Sequence, residues 1–182
     1  MKLRIISGTF KGRLINVPVS DQIRPTTDRV RETLFNLLNN KIDFNGIEIL
    51  DLYSGSGSLG LECISRGANR VTFVEQNFKI YKNLLENIKL LNAEENCMVI
   101  KSTVKDFSKG KPKKNYDLIL ADPPFFKYDI YEVINNLKKN NYLGKGGLFL
   151  IERSIQTKEL DILNLQAEPF RIIGDACLYL LS

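Results

Sequence analysis

From residue 47 onward, short apolar segments alternate with helical patterns, and no other feature of the 182-residue sequence constrains the fold as strongly. Each apolar segment is nearly continuous, which is typical of parallel strands that are buried on both faces of a sheet. We therefore predict an α/β fold with a mostly parallel sheet. The predicted strands cover residues 47–51, 71–75, 97–100, 118–121 and 148–152, and the predicted helices cover 58–66, 78–91 and 129–137.

Both ends of the sequence carry the pattern of an antiparallel β-hairpin. Near the N-terminus, two short apolar stretches flank a turn at residues 8–13, and the whole segment is rich in Lys and Arg. Near the C-terminus, Gly174-Asp175 is a strong turn signal between two apolar stretches, 169–173 and 176–181. We expect the C-terminal hairpin to close one edge of the sheet, and residues 144–147 to turn into the last core strand.

A polar loop and an amphipathic helix connect the N-terminal hairpin to the sheet. The loop covers residues 21–29, and the helix that follows places Val30, Leu34, Leu37 and Leu38 on one face. We therefore expect a single domain over the whole chain. It would consist of a basic β-hairpin extension, a loop with a leading helix, and a core, at residues 1–20, 21–46 and 47–182.

The composition limits both the chemistry and the location of the protein. The net charge is +5 and the pI is about 9.0, which permits a polyanionic partner. A general compositional bias explains the basic charge equally well, because the whole chain is rich in Lys, together with Asn and Ile. There is no His, and the three cysteines are far apart, so His-based triads are excluded and no metal-ligand spacing exists. No apolar run approaches the length of a membrane span. We expect a cytoplasmic monomer without a metal.

The loop after the first core strand has the spacing of a cofactor site. Gly55, Gly57 and Gly60 match G-x-G-x-x-G between a strand and a helix, and Glu75 ends the next strand about twenty residues later. This Rossmann-like pattern fits both NAD and S-adenosylmethionine. Asp51 favours S-adenosylmethionine, because a carboxylate before the glycines would repel a pyrophosphate and attract the α-amino group of a methionine moiety.

The fourth core strand ends in Asp122-Pro123-Pro124-Phe125, because a double proline cannot continue a strand. A carboxylate, a fixed carbonyl and an aromatic ring therefore meet at the edge of the sheet where ligands bind. Asp122 and the Pro123 carbonyl would accept hydrogen bonds from an exocyclic amine and hold it in line with a methyl donor. Phe125 would stack on the base. The tetrapeptide predicts methylation of a flat, amine-bearing ring.

The sequence resembles the RsmD family of bacterial methyltransferases over nearly its whole length. The most family-specific stretch is Arg24-Pro-Thr-Thr-Asp-Arg-Val-Arg-Glu-Thr-Leu-Phe35, whereas the glycine loop and Asp122-Pro-Pro-Phe125 occur in many amine methyltransferases. The other matching stretches are Arg4-Ile-Ile-Ser-Gly8, Lys11-Gly-Arg13, Asp51-Leu-Tyr-Ser-Gly-Ser-Gly57, Leu59-Gly-Leu-Glu62, Ser65-Arg-Gly-Ala68, Val74-Glu75 and Gly174-Asp175.

The resemblance implies a class I, S-adenosylmethionine-dependent enzyme that methylates the N2 amine of a guanine in small-subunit (16S) ribosomal RNA, free or within an assembling 30S particle. The catalytic residues would be Asp122, Pro123 and Phe125. The cofactor would be held by Asp51, Tyr53, Gly55, Gly57, Glu75, Thr103, Val104 and Asp122. The RNA would be contacted by Lys2, Arg4, Phe10, Lys11, Arg13, Arg24, Thr26, Thr27, Arg29 and Arg31, with Lys11 and Arg13 as the strongest pair.

Other functions remain open at this point. A DNA adenine-N6 methyltransferase also uses Asp-Pro-Pro-Phe, although this sequence lacks a separate target-recognition segment. A protein glutamine methyltransferase is expected to carry Asn rather than Asp at position 122. A nucleic-acid-binding module without catalysis is disfavoured by the intact Asp122 and glycine loop, and a dehydrogenase is disfavoured by Asp51.

Two positions depart from the family pattern, and one of them yields a test. Phe125 replaces a usual Tyr, and Ser102-Thr103-Val104 stands where Gly-Asp-Ala is common. We expect somewhat weaker cofactor binding, because the neutral hydroxyl of Thr103 accepts a weaker hydrogen bond from the adenine amine than a carboxylate would. Thr103→Asp should therefore lower the dissociation constant of S-adenosylmethionine in a titration; an unchanged constant would contradict this interpretation.

Overall fold

The structure, a computed structural model, describes residues 1–18, 28–124 and 128–182, with only the backbone of residues 28 and 29. The strands are β1 (Lys2–Arg4), β2 (Leu14–Asn16), β3 (Glu48–Leu52), β4 (Arg70–Glu75), β5 (Cys97–Lys101), β6 (Tyr116–Ala121), β7 (Leu143–Ser154), β8 (Arg171–Ile173) and β9 (Ala176–Leu181). The helices are α1 (Asp28–Asn39), α2 (Ser58–Ser65), α3 (Phe78–Leu91), α4 (Val104–Lys109), α5 (Ile130–Lys139) and α6 (Lys158–Leu165). Within these described ranges, no helix is long and apolar enough to cross a membrane.

The strands from β3 onward form one mixed sheet in the order β5-β4-β3-β6-β7-β9-β8. All pairs from β5 to β7 are parallel, and β9 runs antiparallel to both β7 and β8. The predicted α/β fold, with a mostly parallel sheet and an antiparallel C-terminal hairpin, is therefore confirmed. The order in which strands are added reverses between β3 and β6, and a crevice for a ligand forms at the carboxyl ends of such strands.

Apolar cores lie on both faces of the sheet. On one face, α1, α2 and α3 pack with the N-terminal hairpin, which β1 and β2 form as a separate antiparallel pair. On the other face, α5 packs with α4 and the C-terminal strands. The continuous apolar strands that the sequence shows are thus explained, because each strand is covered on both sides.

The sequence pattern does not predict α4 and α6, and both helices are short. α4 buries only Val104 and Ser108, so it leaves no apolar period to detect. α6 buries the carboxylate of Asp161 while Leu163 is 74% exposed, which reverses the usual amphipathic pattern. The turn predicted at residues 144–147 lies within β7, where the register relative to β6 shifts to accommodate the extra residues.

α3 begins and ends at the predicted residues, but its inward face differs from the one that its apolar period predicts, which is Tyr81, Leu84, Leu85, Ile88 and Leu91. Leu84, Ile88 and Leu91 are buried as expected, whereas Leu85 is 41% exposed. Asn87 is fully buried instead. Periodicity alone could not indicate this exchange, because a polar residue enters a core only when distant partners satisfy its hydrogen bonds.

Asn87 joins three parts of the protein. Its amide oxygen accepts a hydrogen bond from the Asn16 N–H on β2 at 2.8 Å. Its amide nitrogen donates to the Asn16 carbonyl at 2.8 Å and to the Ser56 carbonyl, between the glycines of the loop, at 2.9 Å. The hairpin, α3 and the glycine loop therefore share one buried side chain.

The buried carboxylate of Glu62 on α2 holds the N-terminal hairpin. It accepts hydrogen bonds from the N–H groups of Ile6 at 2.7 Å and Ser7 at 3.0 Å. The guanidinium of Arg66 pairs with the same carboxylate at 2.8 Å. Because hydrogen bonds to a charged group are stronger than those between neutral groups, the hairpin cannot separate from α2 without a loss of stability.

Ser65, at the end of α2, receives the turn of the hairpin. Its hydroxyl donates to the Ser7 carbonyl and accepts from the Phe10 N–H, and its carbonyl accepts from the Thr9 N–H at 2.8 Å. Gly8 lies in this contact with a φ of +81°, and a Cβ there would lie 1.7 Å from the Ser65 carbonyl oxygen. The position therefore requires glycine both for its φ and for space.

Gly8 and Gly12 offer a matched test of this contact. Both have a positive φ, +81° and +83°, but a Cβ at Gly12 would have no atom within 4 Å. Gly12→Ala should cost only backbone strain, about 1–2 kcal/mol. Gly8→Ala should cost about 1–3 kcal/mol more, because the chain must move away from Ser65. Denaturant unfolding of both variants measures the difference, and equal losses would contradict the role given to Ser65.

Candidate functional site

Three carboxylates lie at the carboxyl ends of three adjacent strands. Asp51 is on β3, Glu75 is the last residue of β4, and Asp122 directly follows β6. The register aligns Asp51 with Phe73 on one side and Leu120 on the other, so the three side chains are at the same edge of the sheet. Asp51 and Asp122 flank the point where the strand order reverses, which is the ligand-binding position of open α/β sheets.

Asp51 is a buried carboxylate with little compensation for its charge. It is 2% exposed, and it accepts one hydrogen bond within the described residues, from the Gly60 N–H at 3.0 Å. Burial raises the pKa of Asp51 well above its usual range; the Gly60 hydrogen bond lowers it, and the nearby charges of Asp122 and Glu75 raise it further. A bound cation would favour the ionised form, so the site suits a positively charged group.

Glu75 holds the glycine loop from the neighbouring strand. One carboxylate oxygen accepts from the Gly55 N–H at 3.0 Å, and the other accepts from the Asn77 N–H at 2.7 Å, at the start of α3. A carboxylate oxygen can accept two hydrogen bonds. Glu75 therefore keeps acceptor capacity for the hydroxyl groups of a ligand.

The three glycines of the loop are required for different reasons. Gly55 has a φ of +55°, and a Cβ there would have no atom nearer than 3.9 Å. A Cβ at Gly57 would lie 2.3 Å from Leu84, and a Cβ at Gly60 would lie 2.3 Å from Phe73. Gly57 and Gly60 therefore allow close packing of α3 and the sheet, and Gly55 is the one of the three that leaves room for a ligand.

Tyr53 connects the glycine loop to the segment that follows Asp122. It has a left-handed φ of +56°, which is uncommon for a residue other than glycine. Its hydroxyl donates to the Asp129 carboxylate, immediately before α5, at 3.1 Å. Burial and then the negative charge of Asp129 raise the pKa of Tyr53, so the hydroxyl stays protonated as a donor. This contact fixes one end of the segment that begins with Asp122 and Pro123.

The predicted catalytic residues are described in part. Asp122 is half-buried at the sheet edge, Pro123 is buried, and Pro124 is exposed. The predicted residues that lie outside the described chain are Phe125, Arg24, Thr26 and Thr27, and Arg29 is described only by its backbone. Their roles stay predictions.

Thr103 caps α4, a role that sequence analysis missed. Its hydroxyl accepts from the Asp106 N–H at 3.0 Å and donates to the Asp106 carboxylate at 2.8 Å. Val104 is buried in the core, so only its backbone N–H, in the unpaired first turn of α4, is suited to a ligand. An Asp at position 103 would place a second carboxylate beside Asp106, so the Thr103→Asp variant needs a stability measurement alongside its affinity.

The basic residues of the hairpin differ in their surroundings. Lys2, Arg4 and Lys11 are exposed. The guanidinium of Arg13 donates to the carbonyls of the last residues of α3, Leu91 at 3.1 Å and Leu90, and it lies over the half-buried ring of Phe10. Arg13 thus caps α3 and links the hairpin to it. Of the two residues predicted as the strongest RNA contacts, Arg13 therefore also has a structural role, whereas Lys11 is exposed on the surface.

The predicted RNA contact of Arg31 is contradicted by its position. Arg31 is fully buried, and its guanidinium donates to the Arg4 carbonyl at 2.7 Å. A buried guanidinium cannot reach a phosphate, so Arg31 instead links α1 to the hairpin. The sequence signal for the burial of Arg31 is its position on the helix, three residues before the buried Leu34 and four before the buried Phe35.

Sequence analysis also missed Ser54, which closes the end of the ladder between β3 and β4. Its hydroxyl accepts from the Val74 N–H at 2.9 Å and donates to the Asp51 carbonyl at 2.6 Å. A small hydroxyl residue directly after a strand is the available signal for such a contact. Ser54 therefore fixes the direction in which the chain leaves β3 and enters the glycine loop.

We predict that Asp51→Asn stabilises the ligand-free protein near neutral pH. Since the pKa of Asp51 is raised in the folded state, the wild type has no penalty below its unfolded pKa of about 3.9, and it loses stability as pH rises through the folded pKa. Asn has the same shape and still accepts the Gly60 hydrogen bond. Thermal melts of both proteins should show a gap that widens with pH; a gap independent of pH would contradict the prediction.

The comparisons with known proteins agree with this geometry. The family described as "Conserved hypothetical protein 95" matches residues 3–182. Ribosomal RNA small subunit methyltransferase D of Escherichia coli K12 is 39% identical over 157 residues, which cover 85% of this chain and 76% of the relative. The solved structure of the Escherichia coli yhhF protein matches with a TM-score of 0.82 and 33% identity over 99% of this chain and 97% of that one.

A more distant solved structure bears on the fold alone. The precorrin-6Y C5,15-methyltransferase of Geobacter metallireducens matches with a TM-score of 0.67 and 16% identity, over 84% of this chain and 75% of that one. The shared architecture is that of class I methyltransferases. Given the match along nearly the whole sequence, this chain belongs to the family of ribosomal RNA small subunit methyltransferase D, the RsmD family.

Proposed function

We propose that this protein transfers a methyl group from S-adenosylmethionine to the N2 amine of a guanine in small-subunit ribosomal RNA. The observation that carries the proposal is the position of Asp122 beside Asp51, on neighbouring strands across the point where the strand order reverses. Asp122 would then bind the amine, and Asp51 would bind the cationic cofactor. The small-subunit RNA in the name of the Escherichia coli relative supports this substrate.

The described residues fit S-adenosylmethionine. When bound, this cofactor supplies an electrophilic methyl group on a sulfonium. Asp51 would bind the α-ammonium group, because this buried carboxylate accepts a single hydrogen bond from the described part of the chain. Glu75 would accept from the ribose hydroxyls, and the open side of Gly55 would allow close approach of the backbone. Thr103 and Val104, at the start of α4, would hold the adenine end.

Asp122 and Pro123 would prepare the guanine amine for attack. The amine is a poor nucleophile because its lone pair is delocalised into the ring. Two acceptors on its N–H groups, the Asp122 carboxylate and the Pro123 carbonyl, would favour tetrahedral geometry and aim the lone pair at the methyl group. Phe125 would stack on the base, and the stacking would stabilise the bound base by about 1–3 kcal/mol. No strong base is required, since the nitrogen becomes acidic once it is methylated.

The RNA contacts that we propose follow the exposed residues of the N-terminal region. Lys2, Arg4 and Lys11 would contact phosphates, and Phe10 would lie beneath Arg13 at the same surface. The proposed contacts from the connecting loop and the start of α1 are Arg24, Thr26, Thr27 and Arg29. A guanine in a folded RNA would have to leave its stack to reach Asp122.

One assay tests the proposal directly. The protein is incubated with radiolabelled S-adenosylmethionine and, in separate reactions, small-subunit particles, free small-subunit RNA or DNA, and the products are digested to nucleosides. We expect label in N2-methylguanosine from one or both RNA substrates. Label confined to N6-methyladenine would replace the proposed function with an adenine methyltransferase.

Asp122→Asn separates the role in amine binding from a role in cofactor binding. We expect a loss of at least about 100-fold in kcat, because one acceptor of the transition state becomes neutral. Cofactor affinity should stay nearly constant, since the Asp122 charge raises the pKa of Asp51 and its removal favours the ionised form. Asp117→Asn, near the start of β6, the strand that Asp122 follows, is the matched control. A large loss of cofactor affinity in Asp122→Asn would contradict the assignment.

A further inference from the structure

Phe78 is an exposed aromatic residue at the same edge of the sheet as the candidate site. It is the first residue of α3, three positions after Glu75, and it is 51% exposed. The cap of α3 is made by Asn77, whose side chain accepts from the Lys79 and Ile80 N–H groups. Phe78 therefore has neither a core-packing nor a capping role that accounts for it.

Two ammonium groups accompany the Phe78 ring. The Nζ of Lys82, one helical turn along α3, lies 4.6 Å from the ring centroid, and the Nζ of Lys101, at the end of β5, lies 4.9 Å from it. In the part of the chain that the structure describes, neither lysine forms an ion pair, whereas the nearby Lys105 and Lys109 both do. The two ammonium groups beside the ring therefore have no carboxylate within ion-pair distance among the described residues.

The outward surface of α3 continues this charge along the helix. The exposed residues that follow one stripe at helical spacing are Lys79, Lys82, Glu86 and Lys89. The 14 residues of α3 span about 20 Å. At the far end of the helix lies Arg13, 5.6 Å above the Phe10 ring. The stripe therefore runs from the Phe78 ring with its two lysines, at the start of α3, to the Phe10 ring with Arg13, at the end of α3.

We infer that this α3 face, defined by Phe78, Lys79, Lys82, Lys89 and Lys101, binds a single-stranded segment of the RNA substrate. Phe78 would stack on an unpaired base, and the lysines would contact the phosphates around it, as in grooves that bind single strands. The inference rests on the proposed function. A protein partner fits less well, because four lysines against one acid, Glu86, is a composition that protein interfaces avoid.

Filter binding to small-subunit RNA transcribed in vitro, over a series of KCl concentrations, tests the inference. Phe78→Ala should weaken RNA binding at least about fivefold through loss of one stacked base, and Phe78→Tyr should bind like the wild type. The double variant Lys82→Gln/Lys101→Gln should reduce the slope of log K against log salt by about 1.4, or about 0.7 for each lost phosphate contact.

Two exposed positions away from the α3 face provide matched controls. Leu163→Ala removes an apolar side chain on α6 that is 74% exposed, and Lys145→Gln removes an exposed lysine at the start of β7, the opposite edge of the sheet from Phe78. Both should leave RNA affinity and the salt slope unchanged. A change in salt slope of about 0.7 in Lys145→Gln, which is the share of one lysine in the double variant, would overturn the inference, because RNA binding would then depend on net charge rather than on the position of the lysines.

The remaining outcomes separate the inference from the proposed function. If the wild type methylates small-subunit RNA while both α3-face variants keep its affinity and salt slope, the inference is overturned and the proposed function stands. A loss of S-adenosylmethionine affinity in Phe78→Ala, measured by calorimetry, would also overturn it, because the ring would then belong to the cofactor site. A wild type that does not bind this RNA, and that methylates it neither free nor within small-subunit particles, would overturn both.

Discussion

The buried carboxylate of Glu62 is the interaction on which the N-terminal region depends. It accepts hydrogen bonds from two N–H groups of the hairpin and forms an ion pair with the guanidinium of Arg66. That guanidinium also lies 4.6 Å from the centre of the Phe35 ring on α1. The hairpin, α1 and α2 are therefore arranged around one charge. Detaching the hairpin would break both of its hydrogen bonds to this charge, at a cost of about 1.5–3 kcal/mol for each bond, and would leave only Arg66 of these partners. The hairpin is thus a structural part of the fold as well as a candidate RNA contact.

The glycine loop is held from three directions before any ligand binds. Glu75 accepts from the Gly55 N–H, Asp51 accepts from the Gly60 N–H, and Asn87 donates to the carbonyl of Ser56. A loop fixed in this way loses little conformational freedom on binding, which favours affinity. Two of the three contacts come from the carboxylates proposed to bind the cofactor. The same groups therefore shape the loop and face the ligand.

The parts of the fold that sequence predicts are those set by apolar patterning. The core strands, and α3 with its two boundaries, follow from periodicity, and the meeting of Asp51 with Asp122 follows because parallel strands end at a common edge. The buried polar residues could not be predicted. Asn87 depends on Asn16, 71 residues away, and Asp161 is buried because it pairs with Arg153 in the interior at 2.9 Å. Such contacts depend on tertiary neighbours, which a local pattern does not contain.

The position of β9 has a consequence for how the chain folds during synthesis. β9 pairs with β7 on one side and with β8 on the other, and its central residues, 177–179, are fully buried. β9 follows every other strand of this sheet along the sequence, yet it lies between two of them. Until residue 181 has left the ribosome, β7 has an unpaired apolar edge, which is the kind of surface that aggregates or binds chaperones. Loss of residues 176–181 would leave β7 as an exposed edge strand and remove the pairing partner of β8.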